Sequence, residues 1–377
     1  MNRARDVVVI GGGMAGVAAA LASAARGARV TLVRRAPGAT ALCEGGWNGP
    51  LPEPLAAQFA AAGHPWAILQ NPLPAPDGSL RRFDRAASAQ AAAALTGPTL
   101  ACGIAGLPSF RAAVLARMWS ELSGFAVSSD TIQLEQTPAA GWSPPSLAEC
   151  IARDPGQAGR MLRERAARVG AQAIILPAVL GLSPDDATRS ALESAAGVRV
   201  GEALAVAPSI PGWRLGIVLD TLLQRAGVEL IHGAALRPDE TSRRIDHVMV
   251  HNSALQTRLT AAAFVLATGK FLGGGISAEG RLREAALDCP VWIDHVGETF
   301  EQVLPLTLTN ADRREEQPLL AAGVLVDAED QPVDRQGERC YDNVWAAGAV
   351  RRGYDSSQYG LGHAAAEGWA AGERATA

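Results

Sequence analysis

The chain has 377 residues; at about 100–200 residues per domain it has room for two or three units with a sizeable core, which excludes a disulfide-stapled miniprotein. Hydrophobic residues make up 48% and charged residues 19%, the balance of a folded globular protein and far from that of a disordered chain. The formal net charge is −4, spread without long acidic or basic blocks, so nothing calls for nucleic acid or an anionic membrane as partner.

In chain order, the first feature is the uncharged stretch 7–25 behind Arg3 and Arg5, which superficially resembles a secretory or membrane segment. Gly11, Gly12 and Gly13 interrupt it, and most of its later residues are Ala, too weakly apolar to insert well. Strand, turn, helix, strand fits better. Val7-Val8-Val9-Ile10 is a β-branched run suited to a strand buried on both faces. Gly11, Gly13 and Gly16 then form G-x-G-x-x-G around Met14 and Ala15, Val17 to Arg26 continues as a helix stopped by Gly27, and Arg29 to Val33 is a second strand. This is the opening unit of a dinucleotide fold: Gly11 makes the tight turn, Gly13 admits a diphosphate, and Gly16 packs helix on strand. The helix N-terminus offers its N–H groups to the phosphates.

The second strand departs from that pattern. Where an acid ordinarily meets the adenosine ribose stand Arg34 and Arg35, which could bind a 2′-phosphate, stack on adenine or be solvated. In the loop beyond, Cys43 precedes Glu44-Gly45-Gly46-Trp47, and Gly45 and Gly46 are candidate cofactor contacts. Residues from about 101 to 200 hold helix-like stretches at Phe110 to Leu122 and Gln157 to Val169, broken by Pro144-Pro145 and Pro177. They are expected to form an inserted α+β second domain, 101–199 with 276–332, beside a discontinuous Rossmann-like FAD-binding domain, 1–100, 200–275 and 333–377. The flavin is expected in the crevice between them.

Leu230 to Leu236 reads as a strand ending in Gly233-Ala234-Ala235, with Ala235 a candidate cofactor contact. Together with Ile245 to His251 and Ala261 to Ala267 it gives an antiparallel meander leading into the turn Ala267-Thr268-Gly269. Near the C-terminus, Asn343 to Ala349 is a buried strand running into a glycine turn at Gly348 and Ala349. Gly360-Leu361-Gly362-His363 then opens a small-residue helix whose N-terminal dipole faces the expected flavin. The cysteines, Cys43, Cys102, Cys150, Cys289 and Cys340, are scattered with no C-x-x-C pair, which fits a reducing cytoplasm and gives no metal site and no iron–sulfur ligand set.

The glycine turn, the A-T-G turn and Val344-Trp345-Ala346-Ala347-Gly348 together resemble the two-domain FAD-dependent oxidoreductases related to fumarate reductase flavoproteins. More narrowly, Leu176 to Leu182, Pro208 to Leu215, Ala267 to Gly275 and Gly348 to Asp355 resemble the B subunits of anaerobic glycerol-3-phosphate dehydrogenase. That resemblance implies a flavoprotein working beside a larger flavoprotein subunit and a membrane-bound iron–sulfur subunit, passing electrons from a small alcohol to quinone. It places the chain in the cytoplasm, at the inner membrane only through a partner. The family is associated with FMN, whereas a G-x-G-x-x-G turn is suited to a diphosphate and favours FAD; FAD is the expected cofactor and FMN the alternative. The acid that usually follows the terminal glycine turn is replaced by Ala349.

Oxidising an alcohol needs a base, and a histidine suits that role near neutral pH. His363 is best placed, with Tyr354 and Arg352 as further catalytic candidates and Arg281 and Arg351 as anion contacts. His295 follows a strand, and the other histidines, His64, His232, His247 and His251, fall in loops or the meander. Lys270 is the only lysine and could meet a phosphate or cap the A-T-G turn. Three roles remain open from sequence: a catalytic flavoprotein subunit, an electron-relay subunit, and a scaffold without cofactor.

Overall fold

The computed structural model describes residues 6–237, 242–253, 255–277, 282–293, 309–312, 315, 317–354 and 360–377. Arg281, Asp294, His295 and Asp355 lie outside the described residues. The chain divides into two compact units, the first comprising Met1–Thr40, Gly49–Leu55 and Leu219–Ala377, the second Ala41–Asn48 and Ala56–Val218.

In the first unit, five parallel strands form one sheet in the order Glu229–His232, Arg29–Arg34, Asp6–Ile10, Ala263–Leu266, Val344–Ala346. Their unbroken apolar character is what burial on both faces demands: Val7, Val9, Leu32, Phe264, Leu266 and Val344 are all buried. Helix Met14–Ala25 follows the glycine turn, and helix Leu361–Ala375 closes the chain. Their small residues let the two backbones touch: a Cβ on Gly368 would lie 2.0 Å from the Ala15 carbonyl oxygen, and one on Gly372 2.3 Å from that of Ala19. The Ser23 hydroxyl donates to the Gly372 carbonyl at 3.0 Å, tying the same seam. The abundance of Ala in these helices therefore serves close packing.

A three-stranded antiparallel sheet, Ala234–Leu236, His247–His251 and Gln256–Thr260, belongs to the same unit. Its composition corrects the sequence expectation at both ends. Leu230 to Leu236 is divided at Gly233, with Glu229–His232 in the parallel sheet, and 261–267 supplies a central parallel strand in place of the third antiparallel one. The described residues of 276–332, a segment expected in the second domain, also fall in this unit. The reason is shared burial: Ile276, Leu282, Leu287, Val291, Ile293 and Val324 join Val8, Ile10, Phe264, Leu266 and Val344 in one apolar cluster.

The second unit holds a four-stranded parallel sheet, ordered Arg199–Glu202, Ala173–Leu176, Thr99–Ile104, Val127–Ile132. Helices Ala112–Ser123, Pro155–Val169 and Ala187–Ala196 make the crossovers. It is thus α/β rather than the expected α+β, because fully buried strands such as 99–104 and 173–176 alternate with amphipathic helices. It also takes in residues 56–100 and 200–218, which sequence pattern alone assigns to the nucleotide domain. Helix Ile210–Arg225 carries the chain from the second unit back into the first.

Charge is buried in this second unit at one place. Glu202, fully enclosed, receives Arg214 Nη1 on Oε2 at 2.7 Å and Nη2 on Oε1 at 2.9 Å. Gln90 donates to the same carboxylate at 2.7 Å, and so does the Leu180 N–H. Arg214 Nε and Nη2 also donate to the Gly181 carbonyl, at 2.9 and 2.7 Å. A buried pair so fully hydrogen-bonded is tolerated where a bare one would not be.

Candidate functional site

The glycine turn of the first unit is shaped by backbone contacts. Gly11 has φ +121°, and a Cβ on it would lie 2.1 Å from the Ala267 carbonyl oxygen and 2.9 Å from Thr268 N. A Cβ on Gly16 would lie 1.8 Å from the Gly11 carbonyl oxygen. The fold thus brings the A-T-G turn, Ala267, Thr268 and Gly269, onto the G-x-G-x-x-G turn. Gly348 arrives from the other side: its Cβ would lie 2.6 Å from that of Ala15 and 3.8 Å from that of Ala364. Gly11, Gly13, Met14, Ala15, Gly16, the A-T-G turn, Gly348 and the start of helix Leu361–Ala375 are consequently neighbours.

Gly13 differs from the other two motif glycines. It is the N-cap of helix Met14–Ala25, has no side-chain cap, and no acid stands in the first turn. Among the described residues a Cβ on it would meet only the Thr40 hydroxyl, at 3.3 Å. That hydroxyl accepts the Met14 N–H at 3.0 Å, and Thr40 is buried. Thr40 gives no signal in the sequence, because nothing in the loop spacing places a threonine at a helix 26 residues earlier. An uncrowded helix N-terminus, free of carboxylates and flanked by a buried hydroxyl, fits the diphosphate of FAD.

Both expected acids have counterparts from elsewhere in the fold. Arg34 forks onto Asp220, and Arg35 reaches toward Gly274, whose Cβ would lie 3.3 Å from its Nη1. At the terminal turn the Gly348 N–H donates to Glu367 Oε2 at 2.8 Å. Burial pushes the Glu367 carboxyl up, opposed by Arg351, by that N–H and by His363 one helical turn away. Arg351 lies 3.5 Å from Glu367 and 3.0 Å from Asp330, which also pairs with Arg374. Ala349 therefore leaves no gap in charge: helix Leu361–Ala375 delivers the carboxylate to the turn.

The catalytic candidates divide. His363 lies in the first turn of that helix with its ring against Gly49, where a Cβ would sit 2.2 Å from Nδ1. Tyr354 is buried and its hydroxyl donates to the Gly360 carbonyl at 2.9 Å; burial raises its phenol far above the ordinary value. Its geometry is that of a brace at the start of the helix. Arg352 is exposed, and Lys270 donates to the Leu320 and Tyr354 carbonyls, so its ammonium serves the chain itself.

The other candidates belong to other elements. Ala235 lies in the antiparallel sheet and its apolar cluster. Gly45 and Gly46 are in the second unit, packed against Gln90 and Phe83 respectively. Cys43 belongs to that unit as well, its thiol pushed up to about 12 by burial, which leaves it protonated and unreactive. His64 is buried with Nδ1 3.1 Å from the Pro184 carbonyl oxygen, and His247 Nδ1 lies 3.1 Å from Arg258 Nη2. Among the described residues no group of three or more His, Cys, Asp or Glu could hold a metal, and no helix is long and apolar enough to cross a membrane.

Glu284 likewise gives no signal in the sequence. It is buried and accepts from the Thr268 hydroxyl at 2.9 Å, the Ala286 N–H at 3.0 Å and the Leu287 N–H at 2.7 Å, fixing the A-T-G turn from below. Burial nevertheless pushes its carboxyl from 4.5 up to about 7. The folded protein thus keeps a proton that the unfolded chain gives up, so this contribution to stability is full below pH 4.5 and lost as the pH rises to about 7. Unfolding free energies of wild type and Glu284→Gln should converge or cross in favour of the variant over that interval and run parallel above it. A difference independent of pH would show that the Glu284 carboxyl titrates alike in the folded and unfolded chain.

A parallel sheet with two glycine turns and a helix N-terminus meeting at one edge defines a dinucleotide-binding protein of the flavoprotein type. Residues 6–72 and 110–363 match the FAD binding domain family, and the chain belongs to that family; its cofactor is FAD. Among curated proteins it is similar to one of Halobacterium salinarum named as a probable B subunit of anaerobic glycerol-3-phosphate dehydrogenase, 31% identical over 213 residues, covering 55% of this chain and 48% of the relative. It is similar also to the B subunit of anaerobic glycerol-3-phosphate dehydrogenase of Actinobacillus pleuropneumoniae, 29% identical over 195 residues, covering 51% and 44%. The chain thus matches just under half the length of these relatives. Among solved structures, a 3-ketosteroid-delta4-(5alpha)-dehydrogenase from Rhodococcus jostii RHA1 is 14% identical with a TM-score of 0.41, covering 100% of this chain and 97% of the other.

Proposed function

We propose that this chain is a flavoprotein subunit of a dehydrogenase complex similar to anaerobic glycerol-3-phosphate dehydrogenase, passing electrons from a small hydroxylated substrate toward an iron–sulfur partner and quinone. The observation that carries the reading is the open helix N-terminus at Gly13, without a carboxylate in its first turn and with the Thr40 hydroxyl beside it, in a chain of the FAD binding domain family. When bound, FAD supplies two-electron acceptance from the substrate carbon. The backbone N–H groups of Gly13 and Ala15 and the Thr40 hydroxyl, which accepts the Met14 N–H and keeps its own proton to donate, would hold the diphosphate. Glu367 and Arg351 fix the Gly348 turn, and Tyr354 braces the start of the helix that presents His363. His363 takes the hydroxyl proton of the substrate. Arg352, exposed beside this segment, meets its anionic group.

His363→Ala should lower turnover by about 10²–10⁴-fold, the usual worth of a general base, without lowering cofactor content. Unchanged turnover would remove His363 from the reaction. An electron-relay role is favoured by one observation, the commitment of the Tyr354 hydroxyl to a backbone carbonyl, which leaves few acid–base groups at the turn. The purified chain separates the two roles. Released FAD, identified by mass after denaturation, supports flavin binding; bleaching by glycerol 3-phosphate alone supports catalysis, and bleaching only with partner subunits supports relay. A colourless protein that takes up no FAD defeats both.

A further inference from the structure

Arg34 stands at the end of its strand where a dinucleotide fold ordinarily keeps an acid, yet a carboxylate is present there. The arginine stem lies over Gly12, whose Cβ would sit 2.4 Å from Cδ, 2.6 Å from Cγ and 2.8 Å from Cβ of Arg34. Its guanidinium forks onto Asp220, Nη1 to Oδ1 at 2.6 Å and Nη2 to Oδ2 at 3.1 Å. Arg34 is the covered partner, 13% exposed, and Asp220 the open one at 47%. A carboxylate that accepts one N–H on each oxygen keeps further lone pairs on both, and this one is open to solvent at the end of an arginine whose stem lies over the glycine turn.

We propose that Asp220, clamped by Arg34, recognises the vicinal ribose hydroxyls in the adenosine half of FAD and discriminates against nucleotides carrying a 2′-phosphate; this rests on the FAD reading above. The ribose diol offers two O–H donors to an anionic acceptor held in a fixed orientation, the same chemistry an acid on the strand would supply. A 2′-phosphate meets the Asp220 carboxylate instead, and Arg34 cannot turn to it without leaving that carboxylate unpaired. The arginine that by sequence suggested a 2′-phosphate site thus becomes part of a site that refuses one.

The test titrates the purified, nucleotide-stripped chain with FAD and with FMN by flavin fluorescence, using ADP and adenosine 2′,5′-bisphosphate as competitors for FAD. FMN lacks the adenosine and serves as the internal reference. Asp220→Asn should weaken FAD about tenfold, the worth of one charged hydrogen-bonded contact, and leave FMN unchanged. The bisphosphate should gain on ADP in the same variant, because Arg34 is released. Arg34→Gln, which leaves the acid unclamped, should weaken FAD by a smaller factor with no gain for the bisphosphate. An unchanged FAD-to-FMN ratio in Asp220→Asn overturns the assignment. If Gly13→Val loses FAD while Asp220→Asn keeps it in full, FAD binding stands and the ribose site falls; if the wild type takes up no FAD, both fall.

Discussion

Gly13→Val is expected to abolish flavin retention while the protein still folds. Among the described residues the only atom a Cβ at Gly13 approaches is the Thr40 hydroxyl, at 3.3 Å, so the branched side chain extends into the space left for the diphosphate. Losing two charge-assisted bonds to phosphate, each worth about 1.5–3 kcal/mol, weakens FAD by about a hundredfold or more. Gly16→Ala is the contrasting case, since its Cβ would lie 1.8 Å from the Gly11 carbonyl oxygen and must displace the turn itself. Flavin content after gel filtration and the thermal transition, measured together, separate the two effects. Full occupancy in a folded Gly13→Val protein would move the cofactor elsewhere.

The second large effect is on stability. Arg214→Met should destabilise the protein by about 3–5 kcal/mol, because Glu202 is left buried without its counter-ion. The double variant Glu202→Leu with Arg214→Met should recover much of that loss, since a well-packed apolar pair avoids the desolvation that the ion pair must offset. Urea unfolding followed by circular dichroism measures both. A single-variant loss no larger than that of a surface pair, about 1 kcal/mol or less, would mean that water reaches Glu202. Two segments meet at the pair: Leu176 to Leu182 contributes the Gly181 carbonyl, and Pro208 to Leu215 contributes Arg214. In the same way Ser209 donates to the Cys43 carbonyl at 2.5 Å, and a Cβ on Gly212 would lie 2.1 Å from the Ala41 carbonyl oxygen. These residues knit the second unit together.

Local pattern was enough for the glycine turn, its two flanking strands and its helix, for the strand before Gly348, and for the small-residue helix after Gly360. A tight turn, a close backbone approach and a buried parallel strand each restrict residue type at a fixed position, so they leave a trace in a short window. Family membership and FAD follow from the same windows. The pairing of strands left no such trace. Ala261 to Ala267 is a continuous apolar run equally suited to an antiparallel or a parallel partner, and its place between Asp6–Ile10 and Val344–Ala346 is decided by contacts between segments far apart in the chain.

What the sequence by itself determined is therefore the chemistry of the backbone: where a diphosphate can approach, and that two acids are missing from their usual positions. Tertiary structure decided where the charges went. Asp220 meets Arg34 across 186 residues, Glu367 reaches Gly348 from the closing helix, and Thr40 meets Met14 from a loop, because side-chain partners are chosen by proximity in the folded chain. Burial likewise set the division into units. The described residues between 276 and 332 follow the apolar cluster of the first sheet, a shared interior that no linear spacing encodes.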